Sequence, residues 1–303
     1  MIDLSVSIGA LKLQNPVLTA SGTFGYAEEF EGLIDFRLLG GIVTKTVTLE
    51  PRPGNPPPRI VELPNGMLNS IGLPNVGVER FIAEKMPYLR RLGTRLIVNV
   101  AGRTGEDFVE CVRRLEAADG IDAYELNFSC PNVKEGGLSF SSDAHVAGRV
   151  TAAVRAVTNR PLITKLTPNV TSISDIGLAC QDAGADAVSA VNTLVGMAVD
   201  IRTRRAKLAT VTGGYSGPAI KPIALAKVYE LARRLSIPVI GIGGICSAED
   251  IVEFLLAGAT AVQMGTVNFY DPTATVRAVE DLEKFCRAQN VSAVRTLIGA
   301  MEL

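Results

Sequence analysis

The 303-residue sequence has no tryptophan and a single histidine, His145. A serine–histidine triad or a multi-histidine metal site would therefore rest on that one imidazole or be absent. Its five cysteines, Cys111, Cys130, Cys180, Cys246 and Cys286, form no CxxC pair, so neither a zinc ribbon nor an iron–sulfur cluster is encoded, and no metal site is expected. Charge of one sign is also lacking: 30 Lys and Arg against 31 Asp and Glu leave −1, without the basic excess that nucleic-acid binding requires. The longest uncharged stretch, 254–270, is 17 residues broken by Gly, Thr, Gln and Asn. A membrane span needs about 20 mostly apolar residues. The opening MIDLSVSIGALKLQ has no basic segment ahead of an apolar core, so no export signal is expected. An odd cysteine count without such a signal points to free thiols in a reducing cytoplasm.

What the chain does have is 47 % hydrophobic residues, too many for a disordered protein. They fall into eight short runs rich in Val and Ile, at 16–20, 41–45, 95–99, 123–127, 162–165, 187–192, 239–243 and 261–265. Without polar alternation, these read as parallel strands covered on both faces. Helical periods lie at 78–92, 105–118, 143–157, 172–183, 218–235, 248–256 and 272–288. Asp143 and Ser247 stand at helix starts, Pro218 and Pro272 near first turns, and Gly120, Gly184 and Gly258 at helix ends. The pattern predicts an α/β protein, a (β/α)8 TIM barrel over residues 1–303 as one domain. An open doubly wound sheet is the alternative, though its GxGxxG turn is missing. A hairpin of 4–8 and 11–13, turning at Gly9-Ala10, is expected to cap the barrel bottom. Two segments break the repeat: 50–74, with seven prolines, and 194–216, with Arg202, Arg204 and Arg205. Both follow strands, so both are expected on the C-terminal face, and loops that long are usually functional.

The strand ends carry polar residues: Thr44-Lys45-Thr46, Asn99, Asn127, Lys165, Asn192-Thr193, Gly243-Gly244 and Gly265-Thr266. In a barrel these positions converge on the face that holds active sites. The glycines ending runs seven and eight suit a phosphate-bearing ligand, which binds to backbone N–H groups at this place in the fold. Tight turns needing positive φ would explain the same glycines. Cys130, three residues past Asn127 and followed by Pro131, is placed to act as nucleophile or base. A thiol with an ordinary pKa of ~8.5 serves as a base in mildly alkaline medium. Burial as a structural residue is the other fate of a cysteine, and is expected for Cys111, Cys180 and Cys286. No chemistry is assigned to Cys246, and His145 reads as a surface or capping residue.

Nine blocks, NPVLTASGTFG (15–25), TKT (44–46), NGMLNSIGLPN (65–75), NFSCPN (127–132), ITKLTPN (163–169), AVNT (190–193), GGYSGPAIKP (213–222), GIGGI (241–245) and VQMGT (262–266), are spread along nearly the whole chain. Together they resemble the class 1 dihydroorotate dehydrogenases. The resemblance implies FMN-dependent oxidation of (S)-dihydroorotate to orotate in de novo pyrimidine (UMP) biosynthesis, with one FMN per chain. It implies Cys130 as the base at C5, hydride transfer from C6 to FMN, and Lys165 as the cation beside the flavin pyrimidine. Lys45 resembles the lysine that reaches both flavin and substrate carboxylate. Asn69, Ser70, Ile71, Gly72 and Leu73 match the substrate loop. Asn127, Asn132, Asn192 and Thr193 match groups that bond the pyrimidine. Ser21, Thr46, Asn99, Asn127, Val191, Gly217, Gly243, Gly244, Gly265 and Thr266 match FMN contacts. Asparagines offer paired donors and acceptors to an amide-rich ring without adding charge.

Within class 1, SCPNVKEGG and TGGYSGPAIKP look like the NAD+-linked class 1B branch. That branch is a heterotetramer: a homodimer core with two electron-transfer subunits, which carry FAD and a [2Fe-2S] cluster. Pro74 is more like the fumarate-linked, homodimeric class 1A branch. A non-redox phosphate-binding lyase or isomerase would explain the glycine loops but gives Lys45 and the asparagines no specific role. A non-catalytic scaffold for a flavoprotein complex would not need Cys130, and a tRNA dihydrouridine reductase would need a basic groove that net charge −1 argues against.

Overall fold

A computed structural model describes residues 2–128, 134–135, 138–139 and 143–302. The eight apolar runs become eight parallel strands: β1 (Val17–Thr19), β2 (Gly41–Val43), β3 (Arg95–Val100), β4 (Ala123–Asn127), β5 (Leu162–Leu166), β6 (Ala187–Ala190), β7 (Val239–Ile242) and β8 (Ala261–Met264). Each pairs with the next in chain order, and β8 closes on β1 through Val262 with Val17 and Met264 with Thr19. The sheet is therefore the closed barrel expected from the sequence, and the open doubly wound alternative is excluded.

Local chemistry sets the helices around it. In Gly105–Glu116, Phe108, Cys111, Val112 and Leu115 recur at helical spacing and are the buried face. Thr104 and Asp107 cap that helix reciprocally, satisfying two of its unpaired N–H groups. Ser247 and Asp250 do the same for Ala248–Leu256, and Asp143 caps Ala144–Arg155. His145 lies in that last helix's first turn, exposed to solvent. Two connections depart from the regular unit. Between β1 and β2 there is no α-helix, only the 3-10 turns Glu28–Phe30 and Phe36–Leu38. Between β2 and β3 the helical stretch Val78–Arg80 runs through a π-helical turn, Phe81–Lys85, into Met86–Leu89.

The hairpin of Val6–Ile8 and Leu11–Leu13 sits at the N-terminal end of the strands. There Arg95, at the start of β3, donates to the Lys12 carbonyl at 3.1 Å, and Gly9 approaches Asp186. Asp3 joins the chain ends, donating its N–H to the Ser292 carbonyl at 2.9 Å and pairing with Arg295.

At the opposite end the two irregular segments are not loops. The first contains Ile60–Leu63 and Gly66–Asn69, the second Leu194–Met197 and Thr212–Ser216, and all four strands join in one antiparallel sheet. Its central pairing sets Met67, Leu68 and Asn69 against Ser216, Tyr215 and Gly214. The Tyr215 hydroxyl also donates to the Pro64 carbonyl at 3.0 Å. One roof thus spans the barrel mouth, built from the second and sixth units.

Candidate active site

Beneath this roof lies a cavity of about 240 Å³. Every strand except β3 sends a predicted residue to its wall. Ser21 follows β1, Lys45 and Thr46 follow β2, Asn127 ends β4 and Lys165 lies in β5. Val191, Asn192 and Thr193 follow β6, Gly243 and Gly244 follow β7, and Gly265 and Thr266 follow β8. The roof and its flanks add Asn69, Ile71, Gly72, Leu73 and Gly217. Pro74 and Cys246 line the same space. Two sequence-predicted residues sit elsewhere. Asn99 is fully buried below the floor, where it supports a lining residue: the Thr46 hydroxyl donates to Asn99 Oδ1 at 2.6 Å. Ser70 lies outside the wall, with its hydroxyl buried and without a partner among the described residues. Cys130 and Asn132 lie outside the described residues.

The charges in the cavity are cationic. Lys165 is only 5 % exposed. Half-burial pushes the Lys45 ammonium below its ordinary value; Glu29 opposes this shift and Arg59 adds to it. Two asparagines meet across the mouth, where Asn192 Nδ2 donates to Asn127 Oδ1 at 3.3 Å, and Asn192 Oδ1 in turn accepts from the Thr193 N–H at 2.7 Å. A cavity with two lysines and paired amides suits an anionic, amide-rich ligand.

Gly243 and Gly244 take φ of +132° and +72°. A Cβ on Gly244 would stand 2.8 Å from the Lys221 backbone nitrogen and 3.0 Å from the Gly217 carbonyl. The tight-turn explanation therefore holds for this pair. It does not account for their N–H groups. Among the described residues, the amides of Gly243, Gly244, Gly265 and Thr266 have no hydrogen-bond acceptor. Asp250 occupies the nearby N–H groups of Cys246 and Ser247 at 2.7 and 3.1 Å, which leaves the glycine amides free for an anion. These open donors at the rim of a cavity fit a phosphate.

Of the four described cysteines, three are buried as their positions predict. Cys111, Cys180 and Cys286 are buried on helices, and burial raises the first two thiols to about 12 and about 11. Burial also raises the Cys246 thiol, with Asp250 adding to the effect and Lys221 opposing it.

Sequence reasoning passed over Glu125. It is fully buried in β4 and, with Lys165, is one of the two buried charged residues among those described. The signal was available: a carboxylate in the middle of the apolar run AYELN. No helix among the described residues is long and apolar enough to cross a membrane.

Comparison with known proteins agrees with this geometry. The family described as dihydroorotate dehydrogenase matches residues 3–286. A protein of Trichlorobacter lovleyi named dihydroorotate dehydrogenase B (NAD(+)), catalytic subunit, is 54 % identical over 299 residues, covering 99 % of this chain and 98 % of that one. Proteins of the same name from Pelobacter propionicus and Geobacter sulfurreducens are each 52 % identical, with 99 % of both chains covered. Identity above one half along whole chains, on a barrel whose mouth gathers the residues those motifs predicted, shows that this chain belongs to the dihydroorotate dehydrogenase family.

Proposed function

We propose that residues 1–303 form one FMN-binding barrel domain, the catalytic subunit of an NAD+-linked dihydroorotate dehydrogenase. It oxidises (S)-dihydroorotate to orotate in pyrimidine biosynthesis, in the cytoplasm. The observation that carries the reading is the cavity itself, where two lysines, paired asparagines and unclaimed glycine amides share one wall. Its residues fit FMN: the amides of Gly243, Gly244, Gly265 and Thr266 would hold the phosphate, and Ser21, Thr46, Val191 and Gly217 would flank the ring. Bound FMN supplies a two-electron acceptor, chemistry that no amino-acid side chain offers.

The chain's own residues do the rest. Lys165 presents a buried ammonium where negative charge develops, and a fixed cation in a dry site acts strongly on such charge. Lys45 offers a second cation to the substrate carboxylate. Asn69, Asn127, Asn192 and Thr193, with Asn132, hydrogen-bond the ring edges and fix its orientation. Ile71, Gly72 and Leu73 border the same space under the roof, and that roof limits access of water. Cys130 Sγ takes the C5 proton.

The relatives' shared name supports a partner subunit that passes electrons to NAD+. The arrangement proposed is a homodimer core with two subunits carrying FAD and [2Fe-2S]. Purification without a tag on any partner tests the whole reading. The expected product is a yellow protein that dihydroorotate bleaches anaerobically, accompanied by a subunit with iron–sulfur absorbance. A colourless chain that takes up no FMN would overturn it.

A further inference from the structure

Glu125 lies in the barrel interior, fully buried and ringed by donors from other strands. Asn99 of β3 donates to Oε1 at 2.7 Å, while Ser189 of β6 and Gln263 of β8 donate to Oε2 at 2.8 and 2.6 Å. The ammonium of Lys165, on β5, stands 3.8 Å from Oε1. A carboxylate so deeply buried needs hydrogen-bond donors and a counter-charge, and both are at hand here. Two cavity-lining groups are tied back to it: Lys165 directly, and Thr46 through Asn99.

We infer that Glu125 is a positioning residue of the redox site: it anchors the Lys165 ammonium at the cavity floor and offsets its charge. This rests on the reading that FMN binds above that floor. A neutral polar plug would bridge the strands equally well, but would not answer to the charge on Lys165.

The test uses Glu125→Gln, an isostere the site can accept. Gln263 Oε1 is buried without a partner among the described residues, so its amide can turn over and accept from the new NH2 group. The urea midpoint of the full chain is measured for Glu125→Gln alone and in a Lys165→Met background. In the otherwise unchanged chain the substitution strands the lysine and lowers the midpoint. In the Lys165→Met background it removes an unpaired buried carboxylate and raises the midpoint. In the FMN-loaded protein Glu125→Gln moves the flavin midpoint potential to more positive values, because a negative charge near the reduced ring is gone. The same sign of stability change in both backgrounds, or a potential that does not move, overturns the assignment. A wild-type chain that takes up no FMN sinks the functional reading instead, and the two stability comparisons still decide the role of Glu125.

Discussion

Asn192 and Asn127 meet side chain to side chain at 3.3 Å, joining the end of the fourth strand to the loop after the sixth across the barrel mouth. The contact holds both amides toward the cavity they line. Asn127→Ala removes one member and leaves ring atoms of the ligand unpaired. An unmade hydrogen bond in a closed site costs about 1–3 kcal/mol, so orotate affinity should fall ~10- to 100-fold. Titration of the flavin absorbance with orotate measures it, and an unchanged affinity would remove the pair from ring recognition.

Gly244→Ala should weaken FMN binding by at least ~10-fold. The added Cβ meets the Lys221 backbone at 2.8 Å, and an L-residue at φ +72° adds ~1–2 kcal/mol of strain. Gly299→Ala is the control, with φ +69° and nothing within 4 Å of the new atom. Fluorescence titration with FMN separates the two. Equal losses in both variants would mean that general strain, not the phosphate cradle, is being read.

Cys130→Ser should slow anaerobic flavin reduction by ~10²- to 10⁴-fold, the usual contribution of a positioned base. With a thiol as base the rate rises with pH as the thiol ionises, which for an ordinary thiol is centred at ~8.5. A hydroxyl ionises far higher, so the rising limb should move to more alkaline pH. Stopped-flow reduction across pH is the measurement, and a superimposable profile would take Cys130 out of the proton transfer.

Asp3 ties the two chain ends, and bonds from Ser5 and Arg295 hold its carboxyl down at about 2. The folded value lies below the unfolded one, so the stability it brings is present above the ordinary aspartate range and lost as pH falls toward 2. Asp3→Asn should therefore lower stability at neutral pH and narrow the gap to wild type on acidification. Urea midpoints at pH 7 and pH 3 report this, and a gap that widens in acid would contradict it.

The barrel and most of its rim were legible because β strands buried on both faces leave continuous apolar runs, and the fold sends their ends to one place. Lys45, Asn127, Lys165 and Asn192 were found that way. Glu125 was not, because only the last residues of each run were read for chemistry, and Glu125 lies two residues before the end of its strand. The roof was hidden for a different reason. Its strands Gly66–Asn69 and Thr212–Ser216 are short and glycine-containing, and their pairing is non-local, so neither segment shows a period by itself. The missing helix after β1 has a local cause: the glycines between Gly22 and Gly32 take positive φ, which helices do not accommodate.

The roof also sets an order of events during synthesis. Asn69 must wait for Gly214, 145 residues later, before its half of the sheet has a neighbour. A ribosome paused between those two points holds a nascent chain whose early hairpin, Ile60–Leu63 with Gly66–Asn69, has one edge bare. The cover of the reaction chamber is thus joined late in translation, after six of the eight staves have already emerged, and the last two staves then close the wall beneath it.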